Sequence, residues 1–149
     1  MIRLGPLGFL KNHKEASRRT ELKIPSETRF IRKVSNAVLS KIVDYVLDEG
    51  KIFDIKLCIE EAVRNAIVHG NNCDRRRLVK IASWVEDDNL HIEIEDEGKG
   101  FDQSKLVDPT SEAHIFKNSG RGVYLIKKLM DKVEYTAGGR RITMVKNLK

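Results

Sequence analysis

Apolar and polar positions change their period along this chain, and each change marks an element. "TELKIP" (20–25) alternates briefly and ends at Pro25, the pattern of a short strand. From Ser26 the residues Phe30, Ile31, Val34, Val38, Ile42 and Tyr45 recur at helical spacing, predicting a helix that runs to Gly50. Ser26 and Glu27 suit its start. The next helix is the clearest: Ile52, Ile55, Ile59, Ala62, Val63, Ala66 and Ile67 share one arc at about 100° per residue, and Gly70 supplies the stop.

The period then drops to two. Val79, Ile81, Ser83 and Val85 share one face of "LVKIASWV", and Leu90, Ile92 and Ile94 share one face of "LHIEIED". "EDDN" (86–89) is the polar turn between them. A polar, glycine-rich stretch runs to about residue 119, followed by a helix in "GRGVYLIKKLMDK" (120–132) with two glycines at its start. "KVEYTA" and "RITMVK" close the chain as a hairpin around Gly138-Gly139. Strands joined mostly by short connections, with helices between, predict an α+β fold: a mixed, mostly antiparallel sheet covered by helices on one face.

Composition narrows the class. At 149 residues, 40% apolar and 34% charged, the chain suits one domain with a single core. Residues 1–19 read as an N-terminal arm, or else a partner-binding segment, before a domain spanning 20–149; Gly5, Pro6 and Gly8 interrupt its short apolar run, which argues against a signal peptide. No stretch approaches the ~20 apolar residues of a membrane span. Cys58 and Cys73 form no C-x-x-C pair, which argues against a zinc site and for a reducing, cytoplasmic setting. The net charge of +6 admits an acidic partner. Arg18-Arg19 and Arg75-Arg76-Arg77 are the densest basic runs; each alone reads better as a solvated loop, and no aromatic residues interleave them as a single-strand binder would require.

Three stretches carry candidate chemistry. In "IEEAVRNAIVHGNN" (59–72), Glu61, Asn65 and His69 stand four residues apart, a polar strip beside the apolar arc. Asn65 offers a neutral oxygen to a hard cation such as Mg²⁺. Glu61 can accept a proton from a hydroxyl or a water. An ordinary polar helix face reads the same way, and His69 suits a helix C-terminus. In "EDEGKGF", Asp96 ends a strand and Gly98 and Gly100 follow, leaving the backbone open to a planar or anionic ligand; a plain turn remains the alternative. In "NSGRGVYLI", Gly120 and Gly122 open a helix whose N–H groups suit phosphate, with Arg121 or Lys117 adding charge. It is neither a Walker A loop nor a Rossmann fingerprint.

Taken in this order, "EEAVRNAIVHGN", "DEGKGF" and "SGRGVYLIKKLMDKVEY" resemble the GHKL (Bergerat-fold) ATPases, and within them the small RsbW/SpoIIAB-type anti-sigma factors with serine-kinase activity. The resemblance spans roughly residues 20–147. It implies ATP and Mg²⁺ as cofactors, Glu61 as catalytic base, Asn65 on the metal, Asp96 on the adenine amino group with Gly98 and Gly100 beside the base, and Gly120 and Gly122 on the phosphates. It also implies a sigma factor and a STAS-type anti-sigma-factor antagonist as protein partners, and often a homodimer.

Two positions depart from the pattern. Asn118 stands where some relatives place an arginine that reaches the γ-phosphate. Arg140 and Arg141 stand where many have a threonine near the adenine, Thr143 lying further along. The expected function is transfer of the ATP γ-phosphate to a serine of the antagonist; the alternative is a non-catalytic, ATP-gated protein switch. A nucleic-acid binder would leave the nucleotide motifs unexplained.

Overall fold

A computed structural model describes residues 18–100 and 118–149. Strand β1 (Thr20–Pro25) leads through a 3-10 turn (Thr28–Phe30) into helix α1 (Ile31–Leu39), extended by a second 3-10 turn (Ser40–Ile42). Helix α2 (Glu49–Asn65) ends in a wider π-helical turn (Ala66–Gly70). Strands β2 (Leu78–Glu86) and β3 (Asn89–Glu95) follow, then helix α3 (Asn118–Leu129) and the hairpin of β4 (Lys132–Thr136) and β5 (Arg141–Asn147).

The strands form one sheet in the order β1-β2-β3-β5-β4, every neighbouring pair antiparallel. This is the expected α+β sandwich. Its register aligns one apolar row across all the strands: Leu22 opposite Ile81, Ile81 opposite Ile94, Ile94 opposite Ile142, and Ile142 opposite Tyr135. Strand residues of this parity meet the helices because side chains alternate faces. Ile55, Cys58, Ile59, Ala62, Val63, Ala66 and Ile67 of α2 fill the gap above the sheet with α1's Val34 and Val38 and α3's Ile126. The other strand parity, including Lys80, His91, Glu93 and Glu95, lies outside that core.

Where the helices begin and end departs from the periodicity. The predicted helix to Gly50 is two pieces, and Gly50 lies inside the first turn of α2. Asp48 starts that helix, its side chain accepting from the Lys51 N–H at 2.7 Å. Ile42 and Tyr45, the last positions of that spacing, still pack on the core, while Val43 and Val46, which lie off it, are exposed. Ile52, on the predicted arc, is also exposed, at the open end of α2. Ser26 caps nothing: it is buried, and its hydroxyl donates to the Arg77 carbonyl at 2.7 Å. The last helix spans 118–129, and the predicted 130–132 passes into β4.

Candidate functional site

Helix α2 is the spine of the site. Its apolar arc seats it on the sheet, which brings Asn65 and His69 of the polar strip to a cleft whose lining does not include Glu61. The cleft, of about 200 Å³, is lined by Asn65 and His69 of α2, Ile94 and Asp96 of β3 and its end, Val123 of α3, and Tyr135 and Arg140 of the closing hairpin. Its floor continues the apolar row, since Ile94, Ile142 and Tyr135 lie side by side in register. Burial pushes the Tyr135 phenol up to about 12, so it stays neutral at physiological pH.

Asp96 meets the far end of α2. A side chain on Gly70 would collide with the Asp96 carboxylate, and one on Gly98 with the Gly70 carbonyl. Only glycine admits this approach, so "DEG" and "HG" form one contact. The Asp96 Oδ1 accepts from the Gly98 N–H at 2.8 Å, and the Asp96 N–H donates to the Arg140 carbonyl at 3.0 Å. Burial raises the carboxyl above its ordinary range, with the Gly98 N–H and then the Arg140 charge opposing.

Glu61 and Asn65 meet α3 instead. A methyl group at Gly122 would lie 2.9 Å from Glu61 Oε2 and 3.2 Å from Asn65 Nδ2. Gly122 therefore seats α3 directly on the polar strip. Glu61 also accepts from Arg64 at 3.3 Å, an exposed pair of little energetic weight. Gly120 lies in the first turn of α3 and Arg121 is exposed on it, whereas Lys117 falls outside the described residues. The two contact zones, Gly70–Asp96 and Glu61–Gly122, are nine residues apart on α2, about 13 Å along a helix axis. That is a span a nucleoside triphosphate covers.

The oxygen donors fit a hard divalent cation. Among the described residues no cluster of three or more His, Cys, Asp or Glu could form a closed metal cage. Asn65, with Glu61 beside it, instead suits an ion such as Mg²⁺ that completes its shell from phosphate and water.

Periodicity alone misses Asn71. It is fully buried, and its Nδ2 donates to Ser26 Oγ at 2.9 Å and to the Leu78 carbonyl at 3.1 Å. Its Oδ1 accepts from the Glu97 N–H at 2.8 Å. Glu97 in turn accepts from the Leu78 N–H. One carboxamide thus ties the start of β2 to the backbone immediately after Asp96. The only sequence signal is a polar pair, Asn71-Asn72, directly after a helix stop.

Residues 24–146 match the family described as the histidine kinase-like ATPase domain. The chain is 31% identical over 136 residues to the anti-sigma F factor of Clostridium perfringens, covering 87% of this chain and 95% of the relative. It is 31% identical over 138 residues to the serine-protein kinase RsbW of Bacillus subtilis, covering 86% and 84%. A crystal structure of the RsbU and RsbW domains of a Mycobacterium tuberculosis protein superposes with TM-score 0.59 at 20% identity. That match takes in 89% of this chain and 33% of the other, so the chain corresponds to about a third of it, and the likeness is one of fold. Among the described residues no helix is long and apolar enough to cross a membrane.

Proposed function

Because this chain belongs to the histidine kinase-like ATPase family, we propose that it is an ATP-binding anti-sigma regulatory factor that phosphorylates a serine of its antagonist protein. One observation carries the reading: Asp96 and Gly122 lie against opposite ends of the same helix strip, at a separation that suits base and phosphates. In this assignment Asp96 accepts from the adenine amino group, with Gly98 and Gly100 beside the ring. Asn65 holds Mg²⁺, which when bound neutralises charge on the phosphate oxygens. Gly120 and Gly122 bring the first N–H groups of α3 to the phosphates, with Arg121 and Lys117 adding positive charge. The sigma factor and a STAS-type antagonist are the protein partners.

Phosphoryl transfer here is mostly positioning and electrostatics. The serine oxygen attacks the γ-phosphorus in line while the bond to the β–γ bridging oxygen breaks and ADP leaves. Glu61 takes the serine proton as that bond forms. The test is Glu61→Gln with Mg·ATP and a STAS-type antagonist domain as phosphoacceptor. The variant should bind ATP as wild type does and lose phosphoserine formation by at least about 100-fold, the usual worth of a positioned base. Undiminished transfer removes Glu61 from the chemistry. A wild type that binds ATP, releases its partner and forms no phosphoserine would be the non-catalytic switch instead.

A further inference from the structure

The cleft has a feature its motifs do not account for: a cation at its mouth. Arg140 lies between the 3-10 turn Ala137–Gly139 and β5, and lines the cleft with Asp96. Its carbonyl is fixed by the Asp96 N–H at 3.0 Å, so it belongs to the Asp96 end of the helix ruler and not to the Gly122 end. Its side chain is also directed. The Cγ lies 3.4 Å from where a Gly100 side chain would begin, so the stem crosses Gly100. Its Nε donates to the Ala137 carbonyl at 3.0 Å, which holds the guanidinium at the hairpin turn. Gly100, with φ +79°, presses so closely on the Gly138 carbonyl that no side chain fits between the two loops. Gly139 lines the cleft beside them. This wall therefore presents bare backbone topped by a planar cation, in a cleft that the small Ala62 and Ala66 also line.

We propose that Arg140 is a base-binding residue, its guanidinium plane covering the face of the purine whose amino group Asp96 reads. The proposal rests on the ATP reading of the cleft. A guanidinium stacks on aromatic faces through both its plane and its charge. At this end of the cleft it meets the base, which every adenine ligand shares, and not the phosphates.

The experiment is calorimetric titration of wild type, Arg140→Ala and Arg140→Lys with adenosine, ADP and Mg·ATP. Arg140→Ala should weaken all three by a similar factor, roughly 3- to 30-fold. Arg140→Lys keeps the stem over Gly100 and the charge but loses the plane, and should recover only part of that loss. A loss that grows with phosphate number would make Arg140 a phosphate ligand and overturn the proposal, as would unchanged binding of all three. If Arg140→Ala lowers the Tm without ligand, the comparison rests on Arg140→Lys, and wild-type affinity for adenosine in that variant refutes the stack. A wild type that binds none of the three ligands defeats the ATP reading itself; a wild type that binds all three, matched by both variants, defeats only the role of Arg140.

Discussion

Asp96→Asn isolates the recognition of the base. The Asp96 Oδ1 is already committed to the Gly98 N–H at 2.8 Å. The other oxygen is the one left to accept from an adenine amino group. A carboxamide offers one acceptor and one donor, so in either orientation a donor faces a donor, at Gly98 or at the ligand. The lost bond is charge-assisted, worth about 1.5–3 kcal/mol, which raises Kd by roughly 10- to 160-fold. With Mg·ATP at a hundred times the wild-type Kd, ligand stabilises wild type by about 2.7 kcal/mol and the variant by roughly 0.3–1.3 kcal/mol.

For a chain of this size each kcal/mol moves Tm by about 2–4 °C. The wild-type shift is therefore about 5–11 °C, and the variant keeps less than half of it. Without ligand the sign differs. Burial raises the Asp96 carboxyl, so the folded state holds its proton to higher pH than the unfolded chain does, and wild-type stability falls as pH rises through that folded value. Asparagine carries no such penalty, so the unligated variant should melt no lower than wild type at neutral pH. Nucleotide affinity in wild type should likewise begin to fall, on acidification, at a higher pH than for an exposed aspartate. Differential scanning fluorimetry at several pH values reads all of this. A full ligand shift in the variant would remove Asp96 from the base site.

Gly122→Ala places a methyl group 2.9 Å from the Glu61 carboxylate and 3.2 Å from the Asn65 amide. It should cut phosphoserine formation more than it cuts adenosine binding, and equal effects would refute the division of the cleft into two ends. Asn71→Ala leaves a buried hydroxyl, a carbonyl and an N–H short of a partner. It should cost about 1–3 kcal/mol, measured by urea unfolding, and weaken ATP through the loop after Asp96; an unchanged midpoint refutes that network. Burial pushes the Cys58 thiol up to about 12, while Cys73 is exposed. A thiol reagent should thus label one cysteine in the native protein and both after unfolding, by mass spectrometry, and two rapid native reactions would contradict the packing of α2.

Much of this was legible in the chain because it is periodic or local. The α2 arc, the alternation in β2 and β3 and the hairpin at Gly138-Gly139 each follow from side-chain period or turn chemistry, and the structure reproduces them. The polar strip was legible for the same reason, since four-residue steps superpose on a helix. The end of α1 and the start of α2 were not, because Ile42 and Tyr45 keep a helical spacing toward the core although the α-helix has already given way to a 3-10 turn after Leu39. Pairings between distant segments belong to the tertiary structure alone. Gly70 against Asp96, Gly122 against Glu61 and Asn71 against Glu97 join residues whose sequence neighbours say nothing of one another. Period reports which face of an element is apolar; which polar group on one element meets which on another is decided when the sheet register and the seat of α2 on it fix their distances.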